Sequence, residues 1–153
     1  MPTFKAITST DPIKAIIKSA FDLDTDLSGG WGYTQHDATH IHNTNNMPAD
    51  QFEHTLATMR AYIEMNMTLK EDERYGSINP NETSRELVVI NNTTYEKVIY
   101  TVTAMKEDIY ANFINEYKKG YGTADFDMSD HFRRRKEATL SRSVEHWFIR
   151  DNA

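Results

Sequence analysis

Cysteine is absent from the chain, which excludes disulfides, thiolate metal centres and a nucleophilic thiol, and fits a reducing compartment. Proline and glycine are sparse, four and six residues among 153, so neither a proline-rich linker nor a low-complexity tract breaks the chain. Nowhere are there the roughly 20 successive apolar residues that a membrane span requires. The start, Met1-Pro-Thr-Phe-Lys, lacks the apolar run of a secretory leader. Without a leader, Asn-x-Thr at Asn66, Asn81 and Asn91 is a chance match to the glycosylation pattern. Cations are short as well: 17 Lys and Arg stand against 23 Asp and Glu, a formal charge of −6. General nucleic-acid binding is therefore not expected, because such proteins concentrate positive charge to displace counterions. Together these absences lead to the expectation of a cytoplasmic protein with no membrane segment.

What the chain does contain suits a single domain over residues 1–153, long enough to bury roughly 70% of the surface its unfolded form exposes. Asp11 reads as a helix cap that accepts the free amides and Pro12 as the first helical residue, with Ile13, Ile16, Ile17, Ala20 and Phe21 following at helical spacing. Residues 22–30 read as a loop. Trp31–Thr34 and Asp37–His42 read as two short extended pieces around Gln35-His36, a small hairpin. Phe52, Leu56, Met59, Ile63 and Met67 then repeat at steps of three and four, predicting a helix over 48–69. Its polar sector is narrow, holding Glu53, Arg60 and Glu64, and Tyr62, Met65 and Leu69 form a second apolar flank. Such a helix is mostly buried or lends that flank to another subunit.

Tyr75–Glu82 reads as a connection, Leu87–Ile90 as a strand, Asn91–Thr94 as a turn, and Tyr95–Met105 as a longer strand. In the latter, Val98, Tyr100, Val102 and Ala104 oppose Lys97, Ile99, Thr101 and Thr103. A helix from Glu107 closes at Gly120, where glycine suits a C-cap. Ser129 opens a last helix to about 141. Residues 142–150 fit helix or strand, because Val144, His146 and Phe148 also alternate against Glu145, Trp147 and Ile149. The expected architecture is α+β: about four helices packed on one face of a small, mostly antiparallel sheet centred on the 87–105 hairpin.

Three clusters carry chemical potential. Ser28-Gly-Gly-Trp31-Gly-Tyr33 combines backbone freedom with two large rings, which suits a loop that lets amides and aromatic faces approach a flat or anionic ligand. Arg133-Arg134-Arg135-Lys136, with Arg142 and Arg150, is the concentrated positive region of an acidic protein, able to hold carboxylate or phosphate. His36, Asp37, His40 and His42 form the densest set of metal-ligand types, with His40 and His42 on one face of an extended piece. Each also has a plain structural explanation: a turn with a packing Trp, a solvated charged face, and surface histidines that happen to be neighbours.

The leading expectation is a non-catalytic binding or regulatory module, without a cofactor, that forms a homo-oligomer. It would take a small anionic ligand or a protein partner on Trp31, Tyr33, Arg133, Arg134 and Arg135. The alternative is a small hydrolase with a divalent metal ion on His36, His40 and His42, and Asp37 as ligand or orienter.

Overall fold

The computed structural model describes residues 5–150. Met1–Phe4, read above for a leader, and the Arg150 side chain lie outside the described residues. The chain runs α1 (Ile13–Phe21), β1 (Asp26–Gly29), β2 (Thr39–Asn43), α2 (Ala49–Thr68), β3 (Tyr75–Ile90), β4 (Thr93–Lys106), α3 (Glu107–Gly120), α4 (Met128–Ala138) and β5 (Leu140–Arg150). Single 3-10 turns occupy Gln35–Asp37 and Glu71–Glu73. The fold is α+β, with a mixed sheet ordered β1-β2-β5-β4-β3. Among the described residues only the β2–β5 pairing is parallel. Among the described residues no helix is long and apolar enough to cross a membrane.

The strongly periodic elements fall where the spacing puts them. α1 starts at Ile13, with Ile13 and Ile17 buried; Pro12 is its cap residue, its carbonyl taking the first amides, and no side chain caps it. α2 matches its expected span within one residue at each end. Its second flank is covered within the chain: Met65 is in the core, Tyr62 and Leu69 pack against it, and the Met65 sulfur accepts the Tyr75 amide. That flank is therefore not left for another subunit. In β4, Val98, Tyr100, Val102 and Ala104 face the core.

Elsewhere the sequence expectation needs correcting. The first hairpin pairs 26–29 with 39–43, so its first strand lies inside the segment read as loop, and Trp31–Thr34 belongs to the connection. β3 already begins at Tyr75; its bulges between Gly76 and Asn79 and between Glu82 and Ser84 hide the alternation. Pro80 is tolerated there because β3 is an edge strand. Gly120 remains helical and makes room for the Phe126 ring, a packing role rather than a cap. Asp127, not Ser129, caps α4, accepting the Asp130 amide at 3.0 Å.

Residues 140–150 are a strand, and β5 is the middle of the sheet, flanked by β2 and β4. The centre is thus not the 87–105 hairpin. Among the helices, α1 lies against β1, α2 against β3, α3 against β3 and β4, and α4 chiefly on α3. The expected single layer of four helices does not emerge from these contacts.

Beside β5 the chain passes extremely close. Gly32 has φ +77°, and a Cβ there would sit 2.3 Å from His146 Cδ2 and 2.6 Å from the Trp147 carbonyl. Its own carbonyl accepts the Trp147 amide at 2.8 Å. Gly32→Ala is expected to cost at least about 2 kcal/mol, since a left-handed backbone and a clash with a packed strand act together. Urea unfolding of the two proteins measures it.

Candidate functional site

The residues proposed from sequence do not converge. Trp31 is only 6% exposed and belongs to the hydrophobic core, so its ring is not offered to a ligand. Its loop joins β1 to β2, at one edge of the sheet, whereas Arg133, Arg134 and Arg135 lie on α4, which rests on α3 beside β3 and β4 at the other edge. Tyr33 points inward instead: its hydroxyl donates to Glu64 Oε2 at 2.6 Å and accepts the Ile7 amide at 3.0 Å.

The histidine cluster is likewise dispersed. His36 is exposed on its 3-10 turn. The Asp37 carboxylate is occupied locally, accepting the Thr34 amide at 2.6 Å, the Thr34 hydroxyl at 2.9 Å and the Tyr33 amide at 3.3 Å. His40 and His42 do share a face of β2, opposite buried Thr39 and Ile41, with ring centroids 4.1 Å apart, and His42 Nε2 meets Ser28 Oγ at 2.7 Å. Among the described residues no group of three or more His, Asp or Glu is placed to hold a metal ion.

What the sequence reading missed is a seam of buried charge between α2 and the inner face of the sheet. The narrow polar sector of α2 is turned inward, with Glu53, Arg60 and Glu64 all nearly inaccessible. Glu53 meets Arg85 at 2.7 Å, and Arg85 also holds Glu96 and Glu82. Arg60 donates to the carbonyls of Trp31 at 3.1 Å and Glu145 at 2.7 Å, its guanidinium 4.6 Å from the centre of the Tyr33 ring. Arg142, counted with the basic region from sequence, meets Glu64 at 2.9 Å. Burial pushes the Glu64 carboxyl above its usual range, against the pull of Tyr33, Arg60 and Arg142. The available signal was the sector itself: a helix expected to be buried all round buries its charges too.

Next to the seam, His146 is fully enclosed and stacked on Phe148 at 4.0 Å. The Thr39 hydroxyl gives its one proton to the Gly30 carbonyl at 2.7 Å. It must therefore accept from His146 Nε2 at 3.1 Å, which leaves Nδ1 unprotonated and without a partner. Burial, aided by the Arg60 charge, holds the His146 pKa well below 6.5.

On α4 most of the positive charge is answered locally. Arg133 pairs with Asp130 at 2.6 Å and Glu137 at 2.9 Å, and Arg134 with Asp130 at 2.9 Å and with Glu116 of α3. Arg133 and then Arg134 hold the Asp130 carboxyl below its ordinary range, and Arg134 does the same to Glu116. Arg135 differs. Its guanidinium lies 5.6 Å from the Phe132 ring centre and 6.0 Å from that of Tyr110, with no carboxylate partner among the described residues.

No protein-family model, curated protein or solved structure matches the chain.

The enclosed histidine has a consequence for stability. Because its folded pKa is depressed, the unfolded chain takes up the proton first as pH falls through 6.5, and the native state loses stability below that point. The slope it adds approaches about 1.4 kcal/mol per pH unit. His146→Phe, compared with the parent by urea unfolding from neutral pH to pH 5, is expected to flatten the profile. An unchanged slope would show that His146 titrates alike in both states.

Proposed function

We propose that the protein is a cytoplasmic, non-catalytic binding module that recognises an anionic group, on a small ligand or a protein partner, through the basic face of α4. The observation that carries this reading is Arg135, seated against two aromatic rings with no carboxylate partner among the described residues. An arginine fork held on ring faces has less freedom to lose on binding, and its planar donors match carboxylate or phosphate. Met128, Phe132, Arg135 and Lys136 recur at helical spacing and share one side of α4. Of these, Met128 is 38% and Phe132 47% exposed, so apolar surface adjoins the cation. Arg133 and Arg134 flank this stripe, and their exposed ion pairs with the chain's own acids are weak enough to be exchanged for a ligand.

The aromatic loop drops out of the recognition surface because Trp31 is in the core. The hydrolase alternative gains no support from the placement of His36, His40, His42 and Asp37, since the aspartate is engaged in the turn.

Titration of a fluorescein-labelled hexaglutamate peptide at low ionic strength, followed by anisotropy, is expected to show saturable binding. Arg135→Ala with Lys136→Ala is expected to weaken it by roughly tenfold or more, as losing charge-assisted hydrogen bonds requires. His40→Ala with His42→Ala is expected to leave it unchanged. Binding indifferent to the Arg135 and Lys136 changes would overturn the assignment.

A further inference from the structure

The end of the α3–α4 pair that presents Arg135 also presents uncompensated charge of the other sign. The two helices run antiparallel: Tyr110 meets Arg135, Phe113 meets Arg134, and Tyr117 meets His131 and Phe126. The first turn of α3 therefore lies beside the last turn of α4. Glu107 and Asp108 of that first turn, with Glu71 and Asp72 from the 3-10 turn before β3, line an open hollow of about 650 Å³ floored by Ala111. None of these four carboxylates forms an ion pair among the described residues. Phe132, 47% exposed, adds apolar surface on α4.

A surface that carries both signs at one end can pair with its own copy under a two-fold rotation, since the same patch then serves both partners. Within one copy, Arg135 stays on its rings and the hollow stays unanswered. Between two copies, each cation can meet the other's carboxylates. We infer that the anionic partner of α4 is a second copy of this chain: Arg135 and Lys136 of each enter the hollow of the other, with Phe132 packed beside them. The inference rests on the reading of Arg135 as an anion-binding residue and gives that reading its partner. An acidic chain, with net charge −6, would otherwise repel itself. The contact therefore holds through local complementarity and weakens as salt screens it.

Sedimentation velocity over a wide concentration range is expected to show a particle of twice the 17.7 kDa of one chain at low salt, dissociating as salt rises. Arg135→Glu with Lys136→Glu is expected to be monomeric, and so is Glu107→Lys with Asp108→Lys. Glu71→Lys with Asp72→Lys repeats the second test away from the helix start, and circular dichroism confirms that each variant is folded. Mixing the Arg135/Lys136 variant with the Glu107/Asp108 variant is expected to restore the dimer, because the introduced glutamates then meet the introduced lysines while the native cations meet an unaltered hollow. A dimer that survives each reversal, or a mixture that stays monomeric, overturns the inference. A parent protein monomeric at every concentration and salt also overturns it; if that monomer binds hexaglutamate through Arg135, the functional reading stands and only the second copy is excluded.

Discussion

Arg60 reaches from the middle of α2 to the backbone carbonyls of Trp31 and Glu145, with only 2% of its surface accessible. A guanidinium does not neutralise itself by releasing a proton under ordinary conditions, so its charge must be met where it lies. That requirement organises the interior. Two carbonyls that would otherwise be strand or loop acceptors are turned to it, the Tyr33 ring lies beside it, and Glu64 one helical turn on supplies the counter-charge. Glu64 is in turn held by Tyr33 and Arg142, which ties the β1–β2 connection and β5 to the same helix. Replacing any single member strands the others, which is why a buried ionic group costs more to break than it contributes when intact.

The same seam settles the course of the chain around the sheet. β2 and β5 are parallel neighbours, yet nearly the whole α2–α4 region lies between them in sequence. The β1–β2 connection continues the contact with β5 through the Gly32 carbonyl and Trp147 amide, at a glycine with no room for a side chain. His146 fills the space that glycine leaves, stacked on Phe148 and bonded to Thr39. The glycines around Trp31 thus permit close packing of a core tryptophan's loop, and do not free that loop for a ligand.

How far the sequence could be read depended on whether one chain segment carried the whole signal. α1, α2, β4 and α3 each state their period within a dozen or so residues, and each was legible. β3 was legible only beyond its second bulge, because each bulge shifts the alternation by a residue and removes the pattern from a fixed-period reading. β5 was ambiguous because the helical spacing of α4, continued through Leu140 and Val144, overlaps an equally good alternation through Phe148. Only pairing with β2 and β4 decides between them. The buried seam was half visible: Glu53, Arg60 and Glu64 stood out as a sector, but their partners Arg85, Tyr33 and Arg142 lie 32, 31 and 78 residues away. The arginine run was visible as charge, whereas its pairing with Glu116 needed α3 and α4 to be antiparallel.

The inner seam and the α3–α4 pair use charge in opposite ways. Inside, nearly every cation is bound to a carboxylate or carbonyl, and the geometry is fixed by packing on all sides. α3 contains no fully buried residue, and α4 buries only His131, which four rings, Phe113, Tyr117, Phe126 and Phe132, surround at 5.2–5.6 Å or 5.7 Å. The pair meets the sheet through α3 on β3 and β4, while α4 is held chiefly by the aromatic cluster and exposed ion pairs. It presents a stacked arginine and an adjacent exposed phenylalanine, which is what the proposed binding role asks of it.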